Sequence, residues 1–108
     1  SYQLVQEKLA WMLTEITKGQ LLAYHVGKCK DAGTVTPQQI SMVKRNNTWV
    51  ARECAKLARE LHGANGISGE YPIMRHLMNM ESVYTYEGTF DMHTLILGQD
   101  ITGIPAFR

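Results

Sequence analysis

One glutamate stands where general-base chemistry would be possible. Glu87 follows an aromatic residue, Tyr86, precedes Gly88, and is two residues before Thr89, which suits the start of a helix. A carboxylate in such a turn could take a proton from a bound molecule. A carboxylate beside a helix N-terminus also stabilises the helix dipole by a fraction of a kcal/mol, and on these residues alone that simpler role is favoured. The turn by itself leaves both interpretations open.

A second segment, Gly63-Ala64-Asn65-Gly66, is rich in small residues. Backbone amides in such a turn can approach a phosphate closely, because no side chain blocks them. The same pattern is typical of an ordinary helix end followed by a turn. Taken in isolation, this segment therefore favours the structural interpretation over phosphate binding.

Metal or disulfide chemistry has little support in the sequence. Cys29 and Cys54 are too few and too far apart for a disulfide framework or a zinc site, and they suit a reducing compartment. The four histidines have no spacing that would place two of them one turn apart on a helix. They are His25, His62, His76 and His93. We predict no metal site.

The charge of the chain excludes some partners. Eleven basic and ten acidic residues leave a net charge of +1, which provides no field to gather nucleic acid or an anionic membrane. The longest apolar run, Leu9 to Leu13, is far shorter than the roughly 20 residues that span a bilayer. We predict neither partner.

Arg45, Arg52 and Arg59 repeat every seven residues, but acidic residues are interleaved, so we predict a solvated face.

Four amphipathic helices must position the two turns. The first runs from Tyr2 to about Lys30 and ends near Gly33. Further apolar residues lie off its main stripe, which indicates contact with neighbours on more than one side. The predicted buried stripe consists of Val5, Leu9, Met12, Ile16, Ala23 and Val26.

The second helix has a strong start signal. Thr36 is a suitable N-cap, Pro37 suits the first helical position, and Gln39 completes a capping box. The helix is predicted to end at Gly63. Its predicted buried residues are Val43, Val50, Cys54, Leu57 and Leu61.

Two shorter helices complete the chain. The third is predicted from Pro72 and the fourth from Thr89 to Gly103. No segment alternates with period two, so we predict an all-α fold, an up-down bundle of four antiparallel helices with a modest core. The predicted apolar faces are Ile73, Leu77, Met80 and Tyr84 on the third helix, and Met92, Leu95, Ile96 and Ile101 on the fourth.

The two turns together resemble a known family. Residues Thr85 to Thr89 are similar to the catalytic signature of the acyl-CoA dehydrogenases, and Leu61 to Gly66 with Glu70-Tyr71-Pro72 resembles the flavin-contacting turn of that family. The interval between the segments also suits the family. This resemblance covers nearly the whole chain. It implies that residues 1–108 are one helical C-terminal domain, a fragment of a longer three-domain enzyme.

Within the family, the chain is most similar to the glutaryl-CoA dehydrogenase branch. The similarity lies in Lys44-Arg45-Asn46-Asn47, in Leu95-Ile96-Leu97-Gly98, and in Ile101-Thr102-Gly103. It implies oxidation of glutaryl-CoA, followed by loss of carbon dioxide to give crotonyl-CoA.

The resemblance implies a role for each residue of the catalytic turn. Glu87 would remove the proton next to the thioester while hydride leaves the neighbouring carbon for FAD. Tyr86 and Gly88 would contact the acyl-CoA substrate. The backbone amide of Glu87 and a ribityl hydroxyl of FAD would bind the thioester oxygen. Desolvation on substrate binding would strengthen the carboxylate as a base, against the opposing effect of the helix dipole.

Flavin contacts are implied at further positions. Gln3 and the segment from Glu60 to Ala64 would reach the FAD of a neighbouring subunit, in a tetramer built as a dimer of dimers. Glu60 and His62 depart from the family pattern, which often has an amide at the first position and an apolar residue at the second. The implied FAD-binding residues are Gln3, Glu60, Leu61, His62, Gly63, Ala64, Thr89, Asp91 and Phe107.

Other functions stay open on the sequence alone. The chain could be a helical oligomerisation module that is inactive by itself, or the corresponding domain of an acyl-CoA oxidase. For the dehydrogenase, the expected electron acceptor is electron-transfer flavoprotein. The expected compartment is the cytoplasm of a bacterium or the mitochondrial matrix of a eukaryote. We predict that the isolated fragment has no useful turnover, because the remaining acyl and flavin pocket lies elsewhere.

Overall fold

The computed structural model describes residues 2–106, which form four α-helices and one short 3₁₀ helix. The predicted all-α class and the four predicted helices are confirmed, each boundary within about two residues. No strand occurs within residues 2–106. The helices are α1 (Tyr2–Asp31), α2 (Pro37–Leu61), α3 (Ile73–Thr85) and α4 (Phe90–Thr102), and the 3₁₀ helix η1 (Gly63–Ile67) lies between α2 and α3.

The helix ends follow local signals in the sequence. At the start of α2, the hydroxyl of Thr36 accepts the backbone N–H of Gln39 at 3.2 Å, and the Gln39 side chain accepts the N–H of Thr36 at 2.9 Å. The Thr89 hydroxyl caps α4 by accepting a backbone N–H. Gly33, with a φ of 75°, follows the end of α1. These ends were predictable because each depends on neighbouring residues.

Helices α1 and α2 are antiparallel. At one end Lys8 and Glu60 form a salt bridge of 3.1 Å, and further along the Asn47 side chain donates to the carbonyl of Gly19 at 3.1 Å. Gly19 is buried, and a Cβ there would lie 3.0 Å from Oδ1 of Asn47. The polar Asn47 that interrupts the apolar stripe of α2 therefore packs against the backbone of α1 at Gly19.

The face of α1 that packs on α2 differs from the predicted stripe. Val5, Leu9 and Ile16 are 39%, 51% and 40% exposed. The edge-to-face contact of Trp11 with Trp49, with centroids 6.1 Å apart, fixes a different side of the helix against α2. The spacing of apolar residues does not show which of the two apolar sides of α1 packs on α2. The buried or half-buried residues of α1 are Lys8, Trp11, Met12, Glu15, Gly19, Leu22, Val26 and Cys29.

Helices α3 and α4 lie one after the other along α2 and run in the same direction, whereas the predicted up-down order has α4 antiparallel to α3. Arg52 of α2 contacts Glu81 near the end of α3, and Arg45, two turns earlier on α2, contacts Thr94 of α4. Both short helices therefore run antiparallel to α2. Their connecting turn lies against the N-terminal half of α2, and α2 packs against each of the other three helices.

The predicted buried face is confirmed for α3 and is largely wrong for α4. On α3 the predicted apolar residues are all half-buried, as expected. On α4 the prediction was wrong for Met92, Leu95 and Ile101, which are 43%, 40% and 81% exposed. The face turned toward α2 carries His93 and Ile96 instead. His93 thus occupies a buried position of α4 at which an apolar residue is expected.

The core is smaller than a domain of this length was expected to have. Val50, which is 4% exposed, is the one buried hydrophobic residue within residues 2–106. Large apolar side chains stay exposed on every α-helix, and eight of them lie on α1. Exposed apolar side chains in this number are typical of contact with further protein.

Candidate active site

The turn between α3 and α4 (residues 86–89) has an unusual backbone. Glu87 has a φ of 52° and Gly88 a φ of 97°. A left-handed conformation costs a residue other than glycine about 1–2 kcal/mol, so contacts elsewhere must hold Glu87 in place. Such strain is found disproportionately at functional sites.

Lys44 of α2 holds both sides of this turn. Its ammonium group donates to the carbonyl oxygen of Tyr86 at 2.8 Å and to that of Gly88 at 3.1 Å. The same group lies 5.7 Å from the centre of the Tyr86 ring. One cation therefore binds the two carbonyls that flank Glu87, and it fixes the direction in which the Glu87 side chain leaves the turn.

His93 of α4 lies beneath the turn. Its side chain is buried, and a Cβ on Gly88 would be 2.8 Å from its Nε2 atom. Neither ring nitrogen has a well-aligned hydrogen bond within residues 2–106, although the backbone of Gly88 and Glu87 lies close by. Burial lowers the pKa of His93, the charge of Lys44 lowers it further, and the nearby backbone opposes the shift. The ring thus fills the space into which a Cβ on residue 88 would extend, and its lowered pKa favours the neutral form.

Two stacked aromatic rings join the helices on either side of the turn. Tyr84 of α3 and Phe90 of α4 stack with centroids 5.2 Å apart and planes 16° from parallel. Arg52 lies 4.6 Å from the Tyr84 ring and Arg45 lies 4.4 Å from the Phe90 ring. The prediction of a solvated face was therefore wrong for these two arginines. They pack on rings and close the outer side of the turn.

The Glu87 side chain is exposed at the top of this support. Its carboxylate makes no hydrogen bond or salt bridge to another group within residues 2–106. Tyr86 beside it is 55% exposed. Thr89 and Asp91 begin α4 next to the turn, and Asp91 is also exposed. The carboxylate is free to meet a ligand, while the backbone that carries it is held from below.

The remaining predicted site residues form a second group at the far end of α2. Glu60 pairs with Lys8, which places Gln3 near the same end of the molecule. His62 contacts the carbonyl of Ala58 through Nδ1 at 2.7 Å and is otherwise exposed. Phe107 lies outside the described residues.

The connection that follows α2 is packed through its backbone. Gly66 is buried, and a Cβ there would overlap the carbonyl group of Arg59. Gly63 and Ala64, which precede it in η1, are exposed. The small residues predicted from the sequence thus permit a close approach of two backbone segments and leave amides near the surface.

The two groups of predicted residues do not meet. Lys44 and Glu60 are sixteen positions apart on α2, which corresponds to about 24 Å along a helix. The structure brings together Tyr86, Glu87, Gly88 and Thr89 at one place. Glu60 and Gln3 lie toward the other end of α2, where Glu60 pairs with Lys8.

Lys44 and His93 are the residues whose contacts with the turn were missed. Lys44 had been noted only for its resemblance to one branch of the family, and His93 had been interpreted as an ordinary histidine. A local signal existed for His93, which shares one helix face with Ile96 and Leu97. No local signal existed for Lys44, because its partners lie more than 40 residues away in the chain.

Within residues 2–106, no three His, Cys, Asp or Glu side chains are arranged to bind a metal ion. No helix in that range combines the length and the apolar character needed to cross a bilayer.

Comparison with known proteins shows the family to which the chain is related. Residues 1–102 match the sequence profile of the family described as acyl-CoA dehydrogenase, C-terminal domain. The glutaryl-CoA dehydrogenase of Desulfococcus multivorans is 30% identical over 104 residues, which cover 95% of this chain and 27% of that protein.

Solved structures show the same relationship. The crystal structure of glutaryl-CoA dehydrogenase from Mycobacterium smegmatis is 58% identical, with a TM-score of 0.95 over 98% of this chain and 27% of that one. A structure of a glutaryl-CoA dehydrogenase from the same organism in complex with FADH2 is 53% identical, with a TM-score of 0.95 over 99% of this chain and 28% of that one. The chain thus spans about a quarter of the length of these relatives. It belongs to the acyl-CoA dehydrogenase family and corresponds to the C-terminal domain of that family.

Proposed function

We propose that this chain is the C-terminal domain of a longer FAD-dependent acyl-CoA dehydrogenase, that the enzyme oxidises glutaryl-CoA, and that Glu87 is its catalytic base. The observation that carries the proposal is the α3–α4 turn. Its exposed carboxylate projects from a strained backbone that Lys44 and His93 hold from the opposite side. A merely structural carboxylate would not need this support.

Each residue of the turn would have its own role in the reaction. Glu87 takes the proton from the carbon next to the thioester carbonyl. Its backbone N–H donates to the thioester oxygen, where negative charge develops as the proton leaves. Gly88 leaves room for the thioester, and the exposed ring of Tyr86 would contact the acyl-CoA substrate.

The exposed groups around the turn fit a hydroxyl-rich cofactor such as FAD. The Asp91 carboxylate accepts hydrogen bonds, and the Thr89 hydroxyl still has its proton to donate while it caps α4. Gly63 and Ala64, which are also exposed, suit contact with the FAD of a neighbouring subunit. When bound, FAD supplies the hydride acceptor.

The distance between the two groups of residues supports an oligomeric enzyme. About 24 Å of α2 separates the turn of Glu87 from Glu60 and Gln3. We propose that the first group contacts the FAD of its own subunit and the second the FAD of a neighbour, within a tetramer. The exposed apolar face of α1 is suited to covering by other parts of such an assembly.

The proposed reaction has two stages with glutaryl-CoA. Glu87 first removes the α proton, and a hydride equivalent leaves the β carbon. The unsaturated product then loses its terminal carboxylate as carbon dioxide, and the electron pair left on carbon accepts the proton that Glu87 returns. The products are crotonyl-CoA and carbon dioxide. We also propose electron-transfer flavoprotein as the electron acceptor.

The test uses the full-length enzyme with Glu87→Gln. The matched control is Asp100→Asn, which changes an exposed carboxylate near the end of α4 that belongs to neither group of predicted site residues. Oxidation of glutaryl-CoA should fall by about 10³-fold or more with Glu87→Gln, while the FAD content stays normal. The control should keep its activity. Near-normal oxidation by Glu87→Gln would overturn the assignment.

The substrate and the electron acceptor need separate measurements. Full-length enzyme should release carbon dioxide from glutaryl-CoA and should prefer it to butyryl-CoA, which has no second carboxylate. An oxygen electrode should show little oxygen consumption during turnover. Rapid oxygen consumption would favour the oxidase alternative, and preference for butyryl-CoA would overturn the glutaryl-CoA assignment.

A further inference from the structure

The contact between Lys44 and Tyr86 involves the peptide group of the proposed base. The carbonyl oxygen of Tyr86 and the backbone N–H of Glu87 belong to the same peptide bond. Lys44 donates to that oxygen at 2.8 Å. Because a trans peptide directs its C=O and N–H in opposite directions, the Glu87 N–H points away from Lys44.

The Glu87 N–H is also free to bind a ligand. The N–H of the preceding residue, Tyr86, is used within the fold, since it donates to the carbonyl of Ser82 at 2.9 Å. No group within residues 2–106 accepts the N–H of Glu87 in the same way. The peptide therefore has a cation on its oxygen and an unused donor on its nitrogen.

A positive charge on a peptide oxygen strengthens the donor on the other side of the bond. Peptide resonance moves electron density from nitrogen to oxygen, and a cation at the oxygen favours that movement. Hydrogen bonds in such a chain polarise one another and become stronger together. The second bond of Lys44, to the Gly88 carbonyl at 3.1 Å, prevents the peptide from rotating.

We propose that Lys44 is a positioning residue for the proposed reaction, acting through the Tyr86–Glu87 peptide. It holds the left-handed turn in place and strengthens the Glu87 N–H as a donor to the thioester oxygen. The proposal rests on the function proposed above, because it assumes that the thioester oxygen binds at this amide. Lys44 itself does not need to touch substrate or flavin.

The test measures the stability of a bound enolate as well as turnover. A 3-oxoacyl-CoA can lose a proton to give an enolate whose negative charge lies partly on the thioester oxygen, and its ultraviolet absorbance reports the ionisation. The variants are Lys44→Met and Lys44→Arg in the full-length flavin-loaded enzyme. Lys56→Met is the control, because Lys56 lies on the same helix and pairs with Glu53.

Loss of the Lys44 charge should weaken enolate binding. Lys44→Met should reduce the acidity of the bound ligand about tenfold, less than the roughly 100-fold loss that follows removal of a whole oxyanion donor. The kcat value should fall by a similar factor with little change in KM. Lys44→Arg should restore much of the effect, and Lys56→Met should match the unaltered enzyme.

The outcomes separate this proposal from that for Glu87. Glu87→Gln retains the backbone N–H, so it should lose turnover and still ionise the bound 3-oxoacyl-CoA. If Lys44→Met ionises the ligand as well as the unaltered enzyme does, the proposal for Lys44 is wrong even if Glu87 is the base. If Lys44→Met does not fold, Lys44→Arg and Lys44→Gln allow the same comparison between a retained and a lost charge. Equal ionisation in those two variants would contradict the proposal.

Discussion

The two connections that flank α3 are held by different means. The connection after α2 depends on backbone packing, since Gly66 lies against the carbonyl of Arg59 and leaves no space for a side chain. The α3–α4 turn depends on side chains, namely the ammonium group of Lys44 and the ring of His93. The first arrangement leaves Gly63 and Ala64 exposed. The second presents one carboxylate in a fixed direction.

This difference corresponds to what each connection would do. A surface that contacts a cofactor through backbone groups needs close approach, and glycine provides it. A base must keep its carboxylate aimed at one carbon atom, so its backbone must resist relaxation. The left-handed Glu87 would relax to an ordinary conformation if its supports were removed.

The largest expected effect comes from adding a methyl group at Gly66. We expect Gly66→Ala to destabilise its connection by about 3 kcal/mol, because the new Cβ would overlap the Arg59 carbonyl and backbone cannot move aside easily. Hydrogen exchange of residues 62–72 in the full-length enzyme measures the change. Exchange of the α3–α4 turn should change little.

Gly69→Ala is the matched control for this change. A Cβ at Gly69 would meet no atom within 4 Å, so this variant should exchange like the unaltered protein. Equal behaviour of the two alanine variants would show that close backbone packing is not what holds this connection.

A somewhat smaller effect is expected at Gly88. The residue has a φ of 97°, and a Cβ would lie 2.8 Å from Nε2 of His93. We expect Gly88→Ala to cost about 2 kcal/mol, partly from the backbone conformation and partly from displacement of the ring. A double-mutant cycle with His93→Ala separates these two parts. The substitution at Gly88 should cost less once the ring is gone, and an unchanged cost would mean that His93 does not support the turn.

The smallest expected effect is a pH dependence from His93. Because burial and the charge of Lys44 lower its pKa in the folded state, the unfolded chain binds more protons than the folded chain below the ordinary value of 6.5. Stability due to neutral His93 is therefore complete above that pH and is lost as the pH falls through the lowered pKa. Protection of α4 amides at about pH 7.5 and about pH 5.5 should differ more in the unaltered enzyme than in His93→Gln. An equal difference in both would exclude His93 as the source.

Sequence alone could predict the features that depend on neighbouring residues. The capping box at Thr36, the cap at Thr89 and the glycine after α4 fixed the helix ends, because each involves atoms within a few residues. The two turns were located for the same reason. Their importance was evident only from the resemblance to a family, since a carboxylate at a helix start is common on other grounds.

The features that could not be predicted depend on contacts between distant residues. The pairing of Lys44 with the turn joins residues more than 40 positions apart. The face of α1 that packs on α2 was wrongly predicted, because that helix is apolar on two sides and the contact of Trp11 with Trp49 decides between them. The arginines stacked on Tyr84 and Phe90 have the spacing of a solvated face, yet they pack on rings of other helices.

The central claim is that Glu87 removes a proton from the carbon next to the thioester. Its most direct test is exchange of that proton with D2O, measured by mass spectrometry on reduced full-length enzyme, where no hydride can be transferred. We expect the enzyme and Asp100→Asn to exchange the α proton of bound acyl-CoA, and Glu87→Gln to do so about 10³-fold more slowly with its flavin retained. Exchange by Glu87→Gln at the rate of the unaltered enzyme would contradict the account.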